Sequence, residues 1–251
     1  MSPSFDQIRV RLIQIRERPE VLAEERESFL KRTRLAPEQL AVTNALRDNL
    51  AEGLLDNVDA VLIGGAGAYS VTKTYAWTDS LIDLCTACGD RQLPLFGSCW
   101  GHQFIARAFG GRVIHDDQRS EMGTHHVELT EAGKSDPLFE PFPPRFLAQM
   151  GHQDRVAELP PDAIELATND VAPFQAFRLP DAPIYGTQFH SELDDKAERG
   201  RLITYRDHYP EMQVESFFQE TLNALRPTPD VDDLLYQFLQ LYAVEQGDQA
   251  A

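Results

Sequence analysis

The sequence predicts an α/β fold, with a parallel central sheet flanked by helices and a small antiparallel extension. Three observations point there. Short apolar runs alternate with helical patterns from residue 7 to residue 111, the order that builds parallel sheets with helices on both faces. Glycine-rich turns follow two of those runs, at residues 64–67 and 97–101. Beyond His125 the alternation gives way to short runs separated by Pro, Gly and Asp.

Element by element, Ile8, Val10 and Leu12 alternate with polar residues and mark the first strand. Pro19 opens a helix that brings Val21, Leu22, Phe29 and Leu30 onto one face. Residues 40–46 read as a second strand, 50–57 as a short helix and 58–63 as a buried strand running into the glycines. A helix over 78–89 closes at Gly89. Residues 93–97 form the next strand, and 103–109 a helix that stops at Gly110 and Gly111. Short strands are predicted at 125–129, 145–148, 164–167, 172–177 and 184–189, then helices at 196–205 and 231–244. The last places Leu234, Leu235, Phe238, Leu241 and Tyr242 on one stripe, read as packing against its own core. The expectation is a single domain over 1–251 with a C-terminal helical appendage from about 196 to 251.

Composition narrows the partners. The 251 residues carry 23 Lys and Arg against 40 Asp and Glu, a formal net charge of −17. Residues 190–251 hold 5 basic and 13 acidic residues. Nucleic-acid binding requires clustered cationic side chains, so neither nucleic acid nor an anionic membrane is expected as a partner. No stretch reaches the ~18 consecutive apolar residues of a membrane span. The start, Met1 to Asp6, lacks a secretory pattern, so the expected location is cytoplasmic. Of three cysteines, Cys85 and Cys88 form a lone CxxC inside a predicted helix and read as packing residues. No metal or cofactor is expected.

Cys99 is different. It sits in Gly97-Ser-Cys-Trp-Gly101 between a strand and a helix, the pattern of a turn that presents a nucleophile at the carboxyl edge of a sheet. The glycines relieve clashes that a Cβ would make on either side. A helix starting beneath the sulfur favours its thiolate. Such a nucleophile needs a base and a group to orient that base. His190 and Glu192 stand two apart at the end of a predicted strand, so both are expected on one face. Gly64, Gly65 and Gly67 end another strand, where free backbone N–H groups can hold an oxyanion. Their spacing is neither a dinucleotide-binding fingerprint nor a Walker A loop. Among the other histidines, His125 and His126 are predicted to face opposite ways, His102 to pack structurally, and His115 and His208 to carry no constellation.

Together these segments resemble the class I glutamine amidotransferases, the Cys-His-Glu triad type with a flavodoxin-like fold. Residues 97–103 fit that family's G-x-C-x-G-x-Q elbow and residues 188–192 its Q-F-H-P-E segment, with Ser191 in place of Pro. Residues 110–113, 119–123 and 150–156 look like the amidotransferase portion of GMP synthase, with Gln153 where Gly is usual. The glycine turn reads Gly64-Gly65-Ala66 where Gly-Gly-Pro is common.

The resemblance implies that Cys99 attacks the glutamine carboxamide to give a γ-glutamyl thioester, with His190 as general base and acid and Glu192 fixing its tautomer. It implies an oxyanion hole from the backbone of Gly65 and Trp100, and substrate contacts from Gln103, Gln153 and Asp154. The 59 residues after Glu192 hold no phosphate-cradling loop, so ammonia would pass to a synthetase partner. A γ-glutamyl peptidase on the same triad is the alternative, and a non-catalytic regulatory module a third reading.

Overall fold

A computed structural model describes residues 4–244. The first half runs β1 (Val10–Gln14), α1 (Pro19–Thr33), β2 (Leu40–Asn44), β3 (Ala60–Ile63), α2 (Thr78–Asp90), β4 (Leu95–Ser98) and α3 (Trp100–Ala108). Then follow β5 (Arg112–His115), β6 (Glu121–Leu129), the one-turn α4 (Glu131–Lys134), β7 (Arg145–His152) and β8 (Asp154–Glu158). The chain continues through β9 (Ile164–Thr168), β10 (Ala176–Arg178) and β11 (Ile184–Thr187) to α5 (Asp195–Thr204), α6 (Glu215–Ala224) and α7 (Leu234–Leu239).

Nine strands form one sheet in the order β2-β1-β3-β4-β11-β10-β9-β6-β7, and β5 and β8 pair separately. The first five of that order are mutually parallel. From β11 outward every pairing is antiparallel. The parallel strands read as continuous apolar runs because both faces are covered. On one face Leu12, Leu62 and Phe96 meet Phe29 of α1 and Leu234, Leu235 and Phe238 of α7. On the other, Ile13, Val61, Ile63 and Leu95 meet Leu81, Leu84, Cys85 and Cys88 of α2 and Phe104 of α3. Both cysteines are buried free thiols, and burial pushes Cys88 up to about 12. They are core residues of α2. No helix among the described residues is long and apolar enough to cross a membrane.

Several predicted boundaries move. The strand expected at 172–177 is β10, shifted to Ala176–Arg178. Pro173 and the left-handed Phe174 (φ 62°) break the extended run, and the Asn169 side chain caps the N–H groups of Val171 and Ala172. The short helix expected at 50–57 is a 3-10 turn over Glu52–Leu55. The helix expected from residue 103 begins at Trp100, directly after Cys99. The helix expected over 231–244 starts at Leu234 and widens into a π-helical turn over Gln240–Val244. Strands β5 and β8 and helix α6 had no sequence prediction; α6 packs Phe218 and Leu222 onto Met122 of β6.

Candidate active site

The site lies at the carboxyl edge of the parallel strands, where β1, β3, β4 and β11 all end. β4 turns into α3 through Cys99, whose φ of 51° is left-handed for a residue with a side chain. The flanking glycines make that turn possible. A Cβ on Gly97 would come within 2.4 Å of the Gly101 carbonyl carbon, and one on Gly101 within 2.3 Å of the Ile63 carbonyl oxygen. Strained backbone of this kind persists only where the surroundings hold it. Here the Cys99 N–H is fixed by the Thr187 carbonyl at the end of β11 (2.8 Å).

That bond brings the segment after β11 alongside the elbow. His190 lies beyond the end of the strand, so it does not share a strand face with Glu192 as predicted. A bend carries it back, and its N–H donates to the Gln149 carbonyl of β7 (2.9 Å). The expected pair still forms, with His190 Nδ1 2.8 Å from Glu192 Oε1. Ser98 Oγ donates to the other Glu192 oxygen (2.5 Å) and accepts from the Ser191 N–H (3.2 Å). A proline at 191 would have no such N–H, so the departure at this position links the elbow strand to the carboxylate. Sequence reasoning missed Ser98 because only the nucleophile stands out in the elbow pattern.

Electrostatics follow the geometry. Burial favours a neutral Glu192, but His190 and the Ser98 hydroxyl outweigh it and hold the carboxyl at about 2. Burial likewise opposes charge on His190, yet Cys99 and Glu192 raise its pKa well above the usual value. With Nδ1 engaged, Nε2 is the nitrogen left for chemistry. A buried thiol, an imidazole and an orienting carboxylate in this order can generate a nucleophile and carry its proton.

The glycine turn after β3 packs against the same ring. A Cβ on Gly65 would sit 3.4 Å from His190 Cε1 and 2.8 Å from Arg16 Nη2. Arg16, just past β1, is buried and paired with Glu25 of α1 (2.9 Å), and also donates to the Tyr205 hydroxyl (3.2 Å). Neither Arg16 nor Glu25 was singled out in the sequence. The signal was there: the end of β1 lies at the same sheet edge as the two glycine turns. Trp100 opens α3, and its backbone N–H belongs to the first turn, which lacks intrahelical partners.

These groups line a cavity of about 280 Å³. Its wall includes the predicted Cys99, Trp100, Gln103, Gln153, Asp154 and His190, together with Arg16, Gly151, Glu198, Tyr205 and Tyr209, which were not predicted. Glu192 lies behind His190 rather than in the wall, and Gly65 lies beside the His190 ring, where an added Cβ would reach Cε1. The three predicted substrate residues are already bonded within the protein. Gln103 Nε2 donates to the Asp154 carbonyl (2.5 Å) and to Gln188 Oε1 (3.1 Å). The Gln153 carbonyl accepts from Asp116, and the Asp154 carboxylate from Val71 and Ser70. His115, predicted to be unconnected, also reaches Asp154 through Nδ1 (2.8 Å) and lines the cavity, as does His208. His102 is buried, lies against Phe177, and is pushed down to about 3 by burial, consistent with packing. No group of three or more His, Cys, Asp or Glu among the described residues is placed to hold a metal ion.

A family model for class-I glutamine amidotransferases matches residues 29–206. The chain belongs to this family. Its match to a GMP synthase (glutamine-hydrolysing) subunit of Pyrococcus abyssi is 37% identical over 101 residues, 40% of this chain and 52% of that protein. For the corresponding GMP synthase subunit of Methanopyrus kandleri it is 35% over 102 residues, 41% of this chain and 53% of that protein. The chain thus spans about half the length of these curated relatives. A glutamine amidotransferase structure from Thermotoga maritima superposes with TM-score 0.73 at 21% identity, covering 93% of this chain and 98% of that one. One from Methylobacillus flagellatus gives TM-score 0.69 at 19% identity, covering 94% and 92%. The amidotransferase fold therefore extends over nearly the whole chain, well beyond the segment matched in sequence.

Proposed function

We propose that this amidotransferase hydrolyses the side-chain amide of glutamine through a γ-glutamyl thioester on Cys99. The observation that carries the reading is the chain of contacts from Ser98 through Glu192 to His190 beside the Cys99 elbow. His190 Nε2 takes the thiol proton, and Sγ attacks the amide carbon, forming a C–S bond. The oxyanion is held by the backbone N–H groups of Gly65 and Trp100. Collapse breaks the C–N bond as His190 returns its proton to the leaving nitrogen, giving ammonia. Water then loses a proton to His190 and attacks the thioester. The C–S bond breaks, glutamate leaves and the thiol regains its proton. Glu192 holds the imidazole in the tautomer these transfers need. Gln103 and the backbone at Gln153 and Asp154 shape the wall against which the amino-acid end lies.

The names of the GMP synthase relatives support a synthetase partner that accepts the ammonia, in a cytoplasmic assembly. A second reading, cleavage of a larger γ-glutamyl compound, draws on the further polar residues that line the same cavity, among them Lys73, His115 and His208. The test is glutamate release from glutamine and from a γ-glutamyl dipeptide by the purified chain. Turnover lost in Cys99→Ala is expected, with glutamine preferred. Faster turnover of the dipeptide would move the assignment to a peptidase. Equal turnover by Cys99→Ala would overturn both.

A further inference from the structure

Glu198, in α5, is 1% exposed, and neither carboxylate oxygen has a hydrogen-bond partner. Buried polar groups are almost always bonded, and a buried carboxyl without a partner is costly. Neither nearby arginine hydrogen-bonds it, although the positive charge of Arg201 favours its ionised form. Arg16 is paired with Glu25, and Arg201 with Glu24 at 2.5 Å. Yet Glu198 lines the same cavity as Cys99 and His190.

Its place relative to the His190 ring gives it a direction. Gly65 lies against Cε1, while Gly151 lies on the other side of Nε2, where a Cβ would be 3.4 Å from Nε2 and 3.9 Å from Cδ2. That same Cβ would be 3.6 Å from Glu198 Oε1. The glycine therefore leaves open the space between Nε2 and Glu198, so one hydrogen-bonding group there reaches both. An amide whose oxygen turns toward Gly65 turns its nitrogen toward Gly151. Nε2 must meet that nitrogen to protonate it, and Glu198 faces it from behind.

We propose that Glu198 is a specificity-determining residue that accepts a hydrogen bond from the leaving nitrogen, or from a cationic group attached to it. This rests on the reaction proposed above. The substrate class it selects is γ-glutamyl amides whose leaving group offers spare N–H or positive charge, from the unsubstituted amide of glutamine to amines bearing a second ammonium. Alkylamine leaving groups of the same size are disfavoured, because they bring a single amide N–H and no positive charge to the carboxylate.

The test compares the γ-glutamyl amides of ethylenediamine and propylamine, which match in size and differ in charge, using the full chain. Wild type should favour the ethylenediamine amide by about tenfold in kcat/KM, the scale of one charged hydrogen bond. Glu198→Gln should bring that ratio close to one, and Glu198→Asp should restore part of it. A purely structural role, or a field effect on His190, would slow both substrates alike and leave the ratio unmoved. A wild-type ratio near one overturns the proposal with no variant needed, and so does a ratio that survives Glu198→Gln. If Glu198→Gln does not fold, the wild-type and Glu198→Asp ratios decide. Absence of turnover on every amide, with Cys99 unlabelled by a glutamine-analogue alkylating agent, would instead overturn the reaction, and the role of Glu198 with it.

Discussion

The parallel and antiparallel halves of the sheet handle polarity in opposite ways. In β3 and β4 every residue is buried, and polar chemistry is confined to their carboxyl edge. There it sits on strained or crowded turns, at Cys99 and at the two glycines after β3. In β6 and β7 polar side chains run into the interior instead. Glu121, Gln149 and His152 are all nearly inaccessible, and each is bonded. Glu121 alone accepts from His152, Asn169 and Gln175. One half presents reactive groups, and the other holds the wall behind them through paired ones. Substitutions in the first should remove chemistry, whereas those in the second should remove stability.

The largest effect should follow Cys99→Ala, which leaves the fold and lowers glutamate release by ~10⁴-fold or more, as loss of a nucleophile does. Next comes Gly101→Ala. Its methyl would collide with the Ile63 backbone, so displacement of the elbow should lower glutamate release, and unfolding by urea should also show a loss of about 3 kcal/mol or more. Comparable damage without lost chemistry is the mark of the other half. Glu121→Gln puts an amide against three donors and should cost about 3 kcal/mol, while kcat changes only slightly. A collapse of kcat in the folded Glu121→Gln variant would break the division.

Smaller effects sharpen it. Ser98→Ala removes one donor to Glu192 and should lower kcat about tenfold without moving KM. The Glu192–His190 pair also sets a pH window. Glu192 is held at about 2, below the usual 4.5, so its contribution is full above 4.5 and fades as pH falls toward 2. His190 is raised above the usual 6.5, so its contribution is full below 6.5 and fades as pH rises through the folded value. The stability difference between wild type and Glu192→Gln should therefore be greatest between pH 4.5 and 6.5.

The parallel half was legible because its strands are continuous apolar runs and its turns carry glycine. The elbow at Cys99 could be read from spacing alone, since only glycine fits at 97 and 101. The antiparallel half was harder. Strand β8 is only five residues long, with the apolar Val156 and Ala157 adjacent between charged residues rather than alternating with them, and β10 is displaced by Pro173. At the site, His190 and Glu192 were found by a strand argument, although a bend and not a strand brings them together. Ser98 escaped because its partner Glu192 lies 94 residues away, and Arg16 because only the sheet order shows that β1 ends beside the elbow. Glu198 gives no local sign at all: on α5 it looks like any acidic residue of a solvated helix, and only the fold shows it buried beside Gly151.

The most direct test of the central claim is to trap the thioester. Acid quenching during glutamine turnover, followed by digestion and mass spectrometry, should find a γ-glutamyl group on the peptide containing Cys99, released by hydroxylamine and absent from Cys99→Ala. Turnover that proceeds at the wild-type rate in Cys99→Ala, or a γ-glutamyl group carried on a different residue, would contradict the account.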